Sequence, residues 1–487
     1  MKLLKDILYK TQLEQVVGDT NTAIDHVAFD SREVVPFTAF VAIRGTAGDG
    51  HAFIDTAIEK GAAAIICEDL PKHLKEGVTY VRVADSRHAL AIMAGNYHGH
   101  PDQKLKLIGI TGTNGKTSVA TLLYKLFGKL GHKSGLLSTV EIRIGSTVVP
   151  ATHTTPDPLR LNELLAQMVE AGITHCFMEV SSHAVIQERI AGLRFVLGVF
   201  TNITHDHLDY HGTFDAYIHA KKAFFDGLPT EAYALVNADD AHSAVMVQNT
   251  KATKRSFAVR NMADHKARII ENQLTGLQLN IDGHEMFSRL VGEFNASNLL
   301  AVYSSAVLLG LDPVDALTAL SDLEPPPGRF QVVRGSTGVI GIVDYAHTPD
   351  ALKNVLSTIG TVCGDRERVL TVVGCGGDRD RTKRPLMAAI AASMSRNVIL
   401  TSDNPRNEEP MAIIEEMRKG LLAADLARAF VNTDRREAIR QAVGMAAPGD
   451  VVLVAGKGHE NYQEVRGERH HFDDVEVLKE TLELMRK

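Results

Sequence analysis

Short apolar runs alternate with stretches of helical periodicity along most of this chain. Ala39–Ile43, Ala62–Ile66, Leu105–Ile110, Cys176–Val180 and Val196–Phe200 are dominated by apolar residues, as are Val339–Val343, Val369–Val373, Val398–Thr401 and Val451–Ala455. Continuous rather than alternating hydrophobicity marks strands covered on both faces, the condition of a parallel sheet. Helical patterns over Ser118–Leu130, Pro385–Met394 and Met411–Leu422 supply crossovers of the kind that parallel strands require. The pattern predicts an α/β protein. Two breaks divide it. Gly99-His100-Pro101 closes a first segment, residues 1–101. Pro325-Pro326-Pro327-Gly328 cannot continue a helix or a central strand, and it separates residues 102–328 from 329–487. Ligands of open parallel sheets bind beyond the carboxyl ends of the strands. In the third segment Asp344–His347, Gly374–Asp378, Ser402–Arg406 and Gly456–Glu460 follow strands, so they are expected at one rim.

Composition narrows the class. A chain of 487 residues exceeds one ordinary core, in line with several domains. A net charge of −7 gives no sign of the basic face that nucleic-acid binding needs, so no nucleic-acid partner is expected. The cysteines Cys67, Cys176, Cys363 and Cys375 form no CxxC pair, as in a reducing compartment. Met1–Lys10 has no cleavable signal pattern, and no uninterrupted apolar run approaches the length of a membrane span. A cytoplasmic location without a membrane span is expected.

The most specific chemistry lies at Thr111-Gly112-Thr113-Asn114-Gly115-Lys116-Thr117, between an apolar run and a helical pattern. Strand, glycine-rich turn and helix start are the setting of a phosphate loop. Its backbone N–H groups and helix dipole favour an anion. Lys116 can reach the β- and γ-phosphates, and the Thr117 hydroxyl can ligate Mg²⁺. Ile110 stands where the first glycine of G-x-x-x-x-G-K-[ST] belongs. A nucleoside triphosphate is the expected ligand.

Carboxylates and imidazoles follow the strands of the same segment: Glu179 with Ser181-Ser182-His183, and Thr201–Asp209 with His205, Asp206, His207 and Asp209. Beside a phosphate loop they suit Mg²⁺ held against phosphate oxygens. Lys221, fourteen positions after His207, reads from pattern alone as a helix-surface lysine. In the third segment, Asp403-Asn404-Pro405-Arg406 puts a cation and an amide on a rigid turn, with Arg384 and Glu460 on neighbouring loops. A guanidinium fork can read a carboxylate and a buried glutamate can hold an ammonium, which would suit an amino acid. A surface ion-pair network is the alternative.

In this order these residues resemble the Mur ligase family over essentially the whole chain. The matching blocks are Asp30-Ser31-Arg32, Gly112–Thr117, Glu179–His183, Asp206–Gly212, Ala220-Lys221, Asn295–Asn298, Gly328-Arg329-Phe330, Asp344–Pro349 and Gly456–Glu460. Within the family the chain looks like the member adding the third peptide residue. Asp403-Asn404-Pro405-Arg406 is similar to the motif of enzymes that add meso-diaminopimelate rather than L-lysine.

The resemblance implies three domains: one for the UDP end of the substrate, a central phosphate-loop domain for ATP, and a dinucleotide-fold-like C-terminal domain for the amino acid. It implies amide formation on UDP-N-acetylmuramoyl-L-alanyl-D-glutamate through an acyl phosphate, with ATP as co-substrate and Mg²⁺ as cofactor. Lys116, Glu179, His207 and Lys221 match its catalytic positions, with Thr117 and Glu179 at one ion and His207 at a second. Lys221 matches a lysine carboxylated by CO₂, whose carbamate supports the second ion, and this displaces the surface reading. Gly112, Thr113, Asn114, Gly115, Lys116, Thr117, Ser118, Asn295, Asn298, Arg329, Asp344 and His347 match the ATP side. Phe29, Ser31, Thr46, Ala47 and Gly48 fall where the family grips the uridine nucleotide. Thr154, Thr155, Ser182, Gln187 and Arg189 match the muramoyl-dipeptide side, and Arg384, Asp403, Asn404, Pro405, Arg406, Gly456 and Glu460 the amino acid. A monomer is the expected state.

Four other readings differ in what they require, and Lys116, Glu179, His207 and Lys221 argue against one of them, a non-catalytic binding module. An L-lysine-adding ligase would not need Arg406. A folylpolyglutamate synthase would need a pteridine site, against which Asp30-Ser31-Arg32 argues. A nucleotide switch or motor would carry a strict phosphate loop and no amino-acid site.

Overall fold

The computed structural model describes residues 1–45, 48–150, 153–206, 208–335, 338–363 and 368–484. Three α/β sheets follow one another along the chain. In the first, strands run in the order Leu13–Val17, Thr79–Val83, Ala62–Cys67, Thr38–Val41, His26–Ala28, parallel apart from the antiparallel edge strand Leu13–Val17. Strand side chains alternate between faces. Ala64 and Ile66 accordingly pack with Leu90 and Met93 of helix Ser86–His98, while Ile65 and Cys67 pack with Ile54 and Ala57 of helix Ile54–Glu59.

The central sheet has eleven strands. Its heart is parallel: Ser134–Leu137, His175–Glu179, Lys106–Thr111, Phe195–Phe200, Tyr233–Asn237 and Thr253–Ala258. Ile108 and Ile110 face Val119, Leu122 and Leu126 of helix Lys116–Lys129, together with Leu299 and Leu300 of helix Glu293–Leu308. Leu107 and Met178 face Leu161, Leu165 and Met168 of helix Pro158–Glu170. Burial on both faces is why these runs carry no alternation. Antiparallel strands Ile142–Ile144 and Thr147–Val149 extend the sheet on one side; on the other, His265–Gln273 adds in parallel and the antiparallel strands Gly276–Ile281 and His284–Ser288 follow.

The third sheet runs Gln331–Arg334, Ile340–Asp344, Val451–Ala455, Val369–Val373, Asn397–Thr401, Ala429–Asn432, with the first strand antiparallel to an otherwise parallel set. Helix Pro410–Arg418 ends earlier than its apolar pattern. At Gly420 the chain presses on Pro385, where a β-carbon would lie 1.9 Å from the Pro385 carbonyl oxygen. The proline-rich linker has neither helix nor strand and is nevertheless fixed. Gly328 has φ +65°, and a β-carbon there would lie 2.1 Å from the His459 nitrogen. Among the described residues no helix is long and apolar enough to cross a membrane.

Candidate active site

The phosphate loop leaves strand Lys106–Thr111 and enters helix Lys116–Lys129. Gly112 permits a close approach: a β-carbon there would lie 1.9 Å from Thr201 Oγ1. The residues after strand Phe195–Phe200 hold the loop. Asn114 N donates to Asn202 Oδ1 (2.9 Å), and its carbonyl accepts from Thr201 Oγ1 (2.6 Å) and Asn202 Nδ2 (3.0 Å). Lys116 Nζ folds back onto the Gly112 and Thr113 carbonyls, each at 2.9 Å. Desolvation lowers its pKa, with Glu179 and Asp206 opposing.

Lys221 is not on the surface. Helix Phe214–Asp226 buries it at 1% exposure, and its Nζ donates to Gly112 O at 2.9 Å, the same carbonyl that Lys116 uses. The Tyr217 ring lies beneath it at 4.7 Å. Burial first, then the Lys116 charge, drive its pKa well below that of free lysine, with Asp206 opposing. Two ammonium groups on one buried carbonyl would repel, so the geometry favours a neutral Lys221 amine.

Glu179 ends strand His175–Glu179 and is 1% exposed. Its carboxylate accepts from Thr139 N (2.8 Å) and Thr139 Oγ1 (3.2 Å). The network continues into the positions expected to hold the muramoyl-dipeptide. Thr154 Oγ1 lies 3.0 Å from Thr139 Oγ1, and Thr155 Oγ1 donates to Glu179 O (2.8 Å). Arg189 donates to Thr155 O (2.6 Å) and Gln187 Oε1 (2.7 Å), and Ser182 Oγ meets His211 Nε2 at 2.9 Å. These positions therefore sit together beside the phosphate loop.

The residues expected on the nucleotide side come from two segments. Asn298 Nδ2 donates to Asn295 Oδ1 (3.1 Å), and Asn298 Oδ1 stands 2.6 Å from where a Gly115 β-carbon would be. Arg329 Nη2 donates to Thr117 Oγ1 at 3.0 Å while its guanidinium lies 4.6 Å over the Tyr345 ring. Asp344 accepts from Phe330 N at 2.7 Å; burial raises its pKa to about 6 against the pull of Arg329. His347 donates from Nδ1 to Tyr345 O at 2.9 Å, and burial lowers it to about 4. Ser118 lies in the first turn of helix Lys116–Lys129, nearly buried.

The four strand-end loops of the third sheet meet at one rim. Asn404 Nδ2 donates to Glu460 Oε2 (2.7 Å), and Lys457 Nζ to Asn404 Oδ1 and Glu460 Oε2 (3.0 Å each). Gly456 N donates to Asp344 O at 3.0 Å, and a β-carbon on Gly456 would lie 2.6 Å from Asp403 Oδ2. Burial and the Asp403 charge raise the Glu460 pKa, with Lys457 opposing. Arg406, after Pro405, donates from Nη1 to Gly377 O at 2.8 Å and keeps 20% side-chain exposure.

Arg384 departs from expectation. It is fully buried, and its fork is taken by Glu408 (2.8 Å) and Glu416 (2.7 Å). That leaves it as a brace for the Gly376 loop, whose carbonyl it also holds at 3.2 Å, instead of a reader of a substrate carboxylate. Glu408 and Glu416 carry no local signal of their part in this rim, because their partner Arg384 is 24 and 32 residues away; Lys457 has a local partner in Glu460 and a distant one in Asn404.

At the first segment, Phe29 lines a cavity of about 390 Å³ with Val27, Asp30, Tyr97, Asp157 and Arg160, between the first sheet and helix Pro158–Glu170. Ser31 follows at the next turn, and Gly48 O accepts from Gly45 N at 2.8 Å. Thr46, Ala47 and His207 lie outside the described residues.

Comparison with known proteins agrees with this arrangement. Residues 23–98 match the Mur ligase family catalytic domain, 110–306 the Mur ligase middle domain, and 328–458 the Mur ligase glutamate ligase domain. A UDP-N-acetylmuramoyl-L-alanyl-D-glutamate--2,6-diaminopimelate ligase of Cytophaga hutchinsonii is 53% identical over 99% of this chain and 100% of its own. A ligase of the same name from Bacteroides fragilis is 52% identical over 99% of each. A solved structure of a ligase of that name superposes with a TM-score of 0.68 at 32% identity, covering 99% of this chain and 98% of its own. The chain belongs to the Mur ligase family.

Proposed function

We propose that this chain joins meso-diaminopimelate to UDP-N-acetylmuramoyl-L-alanyl-D-glutamate, cleaving ATP to ADP and phosphate, in the synthesis of peptidoglycan precursors. The observation that carries the reading is full-length identity above 50% with relatives named for this reaction. The proposed division is residues 1–101 for the UDP end, 102–328 for ATP and 329–487 for the amino acid. The proposed setting is a cytoplasmic monomer.

A carboxylate is a poor electrophile, and ATP converts it into one. An oxygen of the D-glutamate γ-carboxylate attacks the γ-phosphorus, the bond to the β-phosphate oxygen breaks, and ADP leaves an acyl phosphate. The amine of diaminopimelate adds to the carbonyl, and the tetrahedral adduct expels phosphate and releases the amine proton. Phosphoryl transfer depends mainly on positioning and charge neutralisation. Lys116, whose Nζ lies against the Gly112 and Thr113 carbonyls of the loop, would neutralise charge on the β- and γ-phosphates. Asn298 and Arg329 border the same loop, and Asp344 and His347 complete the nucleotide side. Thr154, Thr155, Ser182, Gln187 and Arg189 would hold the dipeptide carboxylate near Glu179. Arg406, Asp403, Asn404 and Glu460 would receive diaminopimelate.

Thr117 and Glu179 are hard oxygen donors beside the loop, and that donor set fits Mg²⁺. Among the described residues no three His, Cys, Asp or Glu side chains converge as a metal cage. When bound, Mg²⁺ would offset negative charge on the transferring phosphoryl group. Burial and the Lys116 charge favour the neutral amine of Lys221, the form that adds to CO₂ with loss of a proton, so this residue is the proposed carbamate.

The test uses substrate with ¹⁸O in the γ-carboxylate. Appearance of one labelled oxygen per phosphate released, dependent on diaminopimelate, is expected. Unlabelled phosphate alongside ligated product would overturn the acyl-phosphate route.

A further inference from the structure

We propose that Asp350 is a positioning residue that couples nucleotide at the phosphate loop to amino-acid binding on the third sheet. The inference rests on the function proposed above and adds a residue to it. Asp350 lies in the first turn of helix Pro349–Cys363. Its Oδ2 accepts from Asn114 Nδ2 (3.2 Å), Thr204 Oγ1 (3.1 Å) and Asn354 Nδ2 (3.2 Å). Both distant donors belong to the phosphate-loop assembly. Asn114 is in the loop itself, and Thr204 N donates to Thr113 Oγ1 at 2.9 Å. One carboxylate oxygen of the third segment thus joins two parts of the second.

The other end of the connection reaches the amino-acid rim. Three residues before Asp350, the His347 carbonyl accepts from Lys383 Nζ at 2.9 Å. The next residue, Arg384, grips Glu408, which in turn accepts from Asp378 N at 2.7 Å and lies two positions after Arg406. A nucleotide that fixes the phosphate loop presents Asn114 and Thr204 to Asp350 already ordered. Docking of the third segment then costs less conformational entropy, and a ligand bound there binds more tightly. Such coupling is reciprocal between the two ligands.

The experiment is calorimetric titration of meso-diaminopimelate, with and without a non-hydrolysable ATP analogue, in the presence of the UDP-dipeptide. In the native protein the analogue is expected to tighten diaminopimelate binding about ten-fold, within the usual range of coupling between sites. Asp350→Ala should bring that ratio close to one while binding of the analogue alone changes little. Asp350→Asn keeps an acceptor oxygen and should retain part of the ratio. Thr204→Val removes one donor outside the substrate sites and should lower the ratio, with no further loss when combined with Asp350→Ala. A purely structural role would lower the melting temperature and leave the ratio intact. Undiminished tightening in folded Asp350→Ala or, if that variant does not fold, in both Asp350→Asn and Thr204→Val would overturn the proposal, as would absence of tightening in the native protein. Failure of the underlying function is distinct: the native protein would then not turn over diaminopimelate at all.

Discussion

Lys116 and Lys221 meet at one carbonyl, Gly112 O, each at 2.9 Å. A helix pattern cannot announce that, because it depends on where Gly112 lies 109 residues earlier. The local sequence did hold a clue: Tyr217, Lys221 and Phe225 share a face by i, i+4 spacing, and all three are buried. Because the folded-state pKa of Lys221 lies below that of free lysine, its reactive neutral form persists at lower pH and is lost as pH falls through that depressed value. ¹³C NMR with labelled bicarbonate should show a carbamate signal that fades on acidification and is absent in Lys221→Ala. That variant should lose ligation and regain part of it with a short carboxylate such as acetate; full activity without rescue would reject the carbamate. Glu408 gives a second pH signature. Arg384 hydrogen bonds hold its carboxyl down at about 2. A depressed carboxylate stabilises the fold above its unfolded pKa, near 4.5, and the contribution disappears as pH falls toward 2. The melting temperature of Glu408→Gln should therefore lie below native at neutral pH, and the two should converge in acid.

Elements that are buried on both faces were legible. Val369–Val373 and Val451–Ala455 form strands with the bounds their apolar runs suggest, and strand, loop and helix follow one another around Lys116 as the phosphate-loop pattern requires. The outer strands of the central sheet were not legible. His265–Gln273 buries only Ala267, so its polar face hides the strand from a hydrophobicity reading. The proline-rich linker was legible as a break but not as a fitted piece. Its packing depends on Gly458 and His459, which are remote in sequence. Gly328→Ala should cost stability through both φ +65° and the 2.1 Å approach to the His459 nitrogen, a loss of at least about 1–2 kcal/mol from the backbone conformation alone. Gly360, inside helix Pro349–Cys363 with nothing within 4 Å of where a β-carbon would stand, is the control. Gly360→Ala should be neutral or stabilising by up to about 1 kcal/mol. Equal melting temperatures for the two variants would contradict this reading of the linker.

Over the whole molecule, the second and third sheets meet around the phosphate loop, through Arg329 on Thr117 and Asp350 on Asn114. The cavity beside Phe29 lies on the other side of the second segment, against the first sheet. On the function proposed above, a long nucleotide substrate would be anchored at one end, activated in the middle and joined to an amino acid at the far rim. On the same reading, amino-acid choice belongs to that rim. Arg384 is committed to Glu408 and Glu416, whereas Arg406 holds the Gly377 carbonyl and a longer ion pair to Glu464 at 3.7 Å, so Arg406 is the rim cation proposed to meet the second carboxylate of diaminopimelate. Lysine lacks that carboxylate, and a site built for a charged partner discriminates against an analogue without it. The most direct test is kcat/KM for meso-diaminopimelate and for L-lysine, read as ADP release that requires the UDP-dipeptide, on the native protein and on Arg406→Ala. The predicted result is a preference for meso-diaminopimelate of roughly a thousand-fold or more, lost in the variant mainly through that substrate. Equal use of the two amino acids by the native protein, or an unchanged preference in Arg406→Ala, would contradict it.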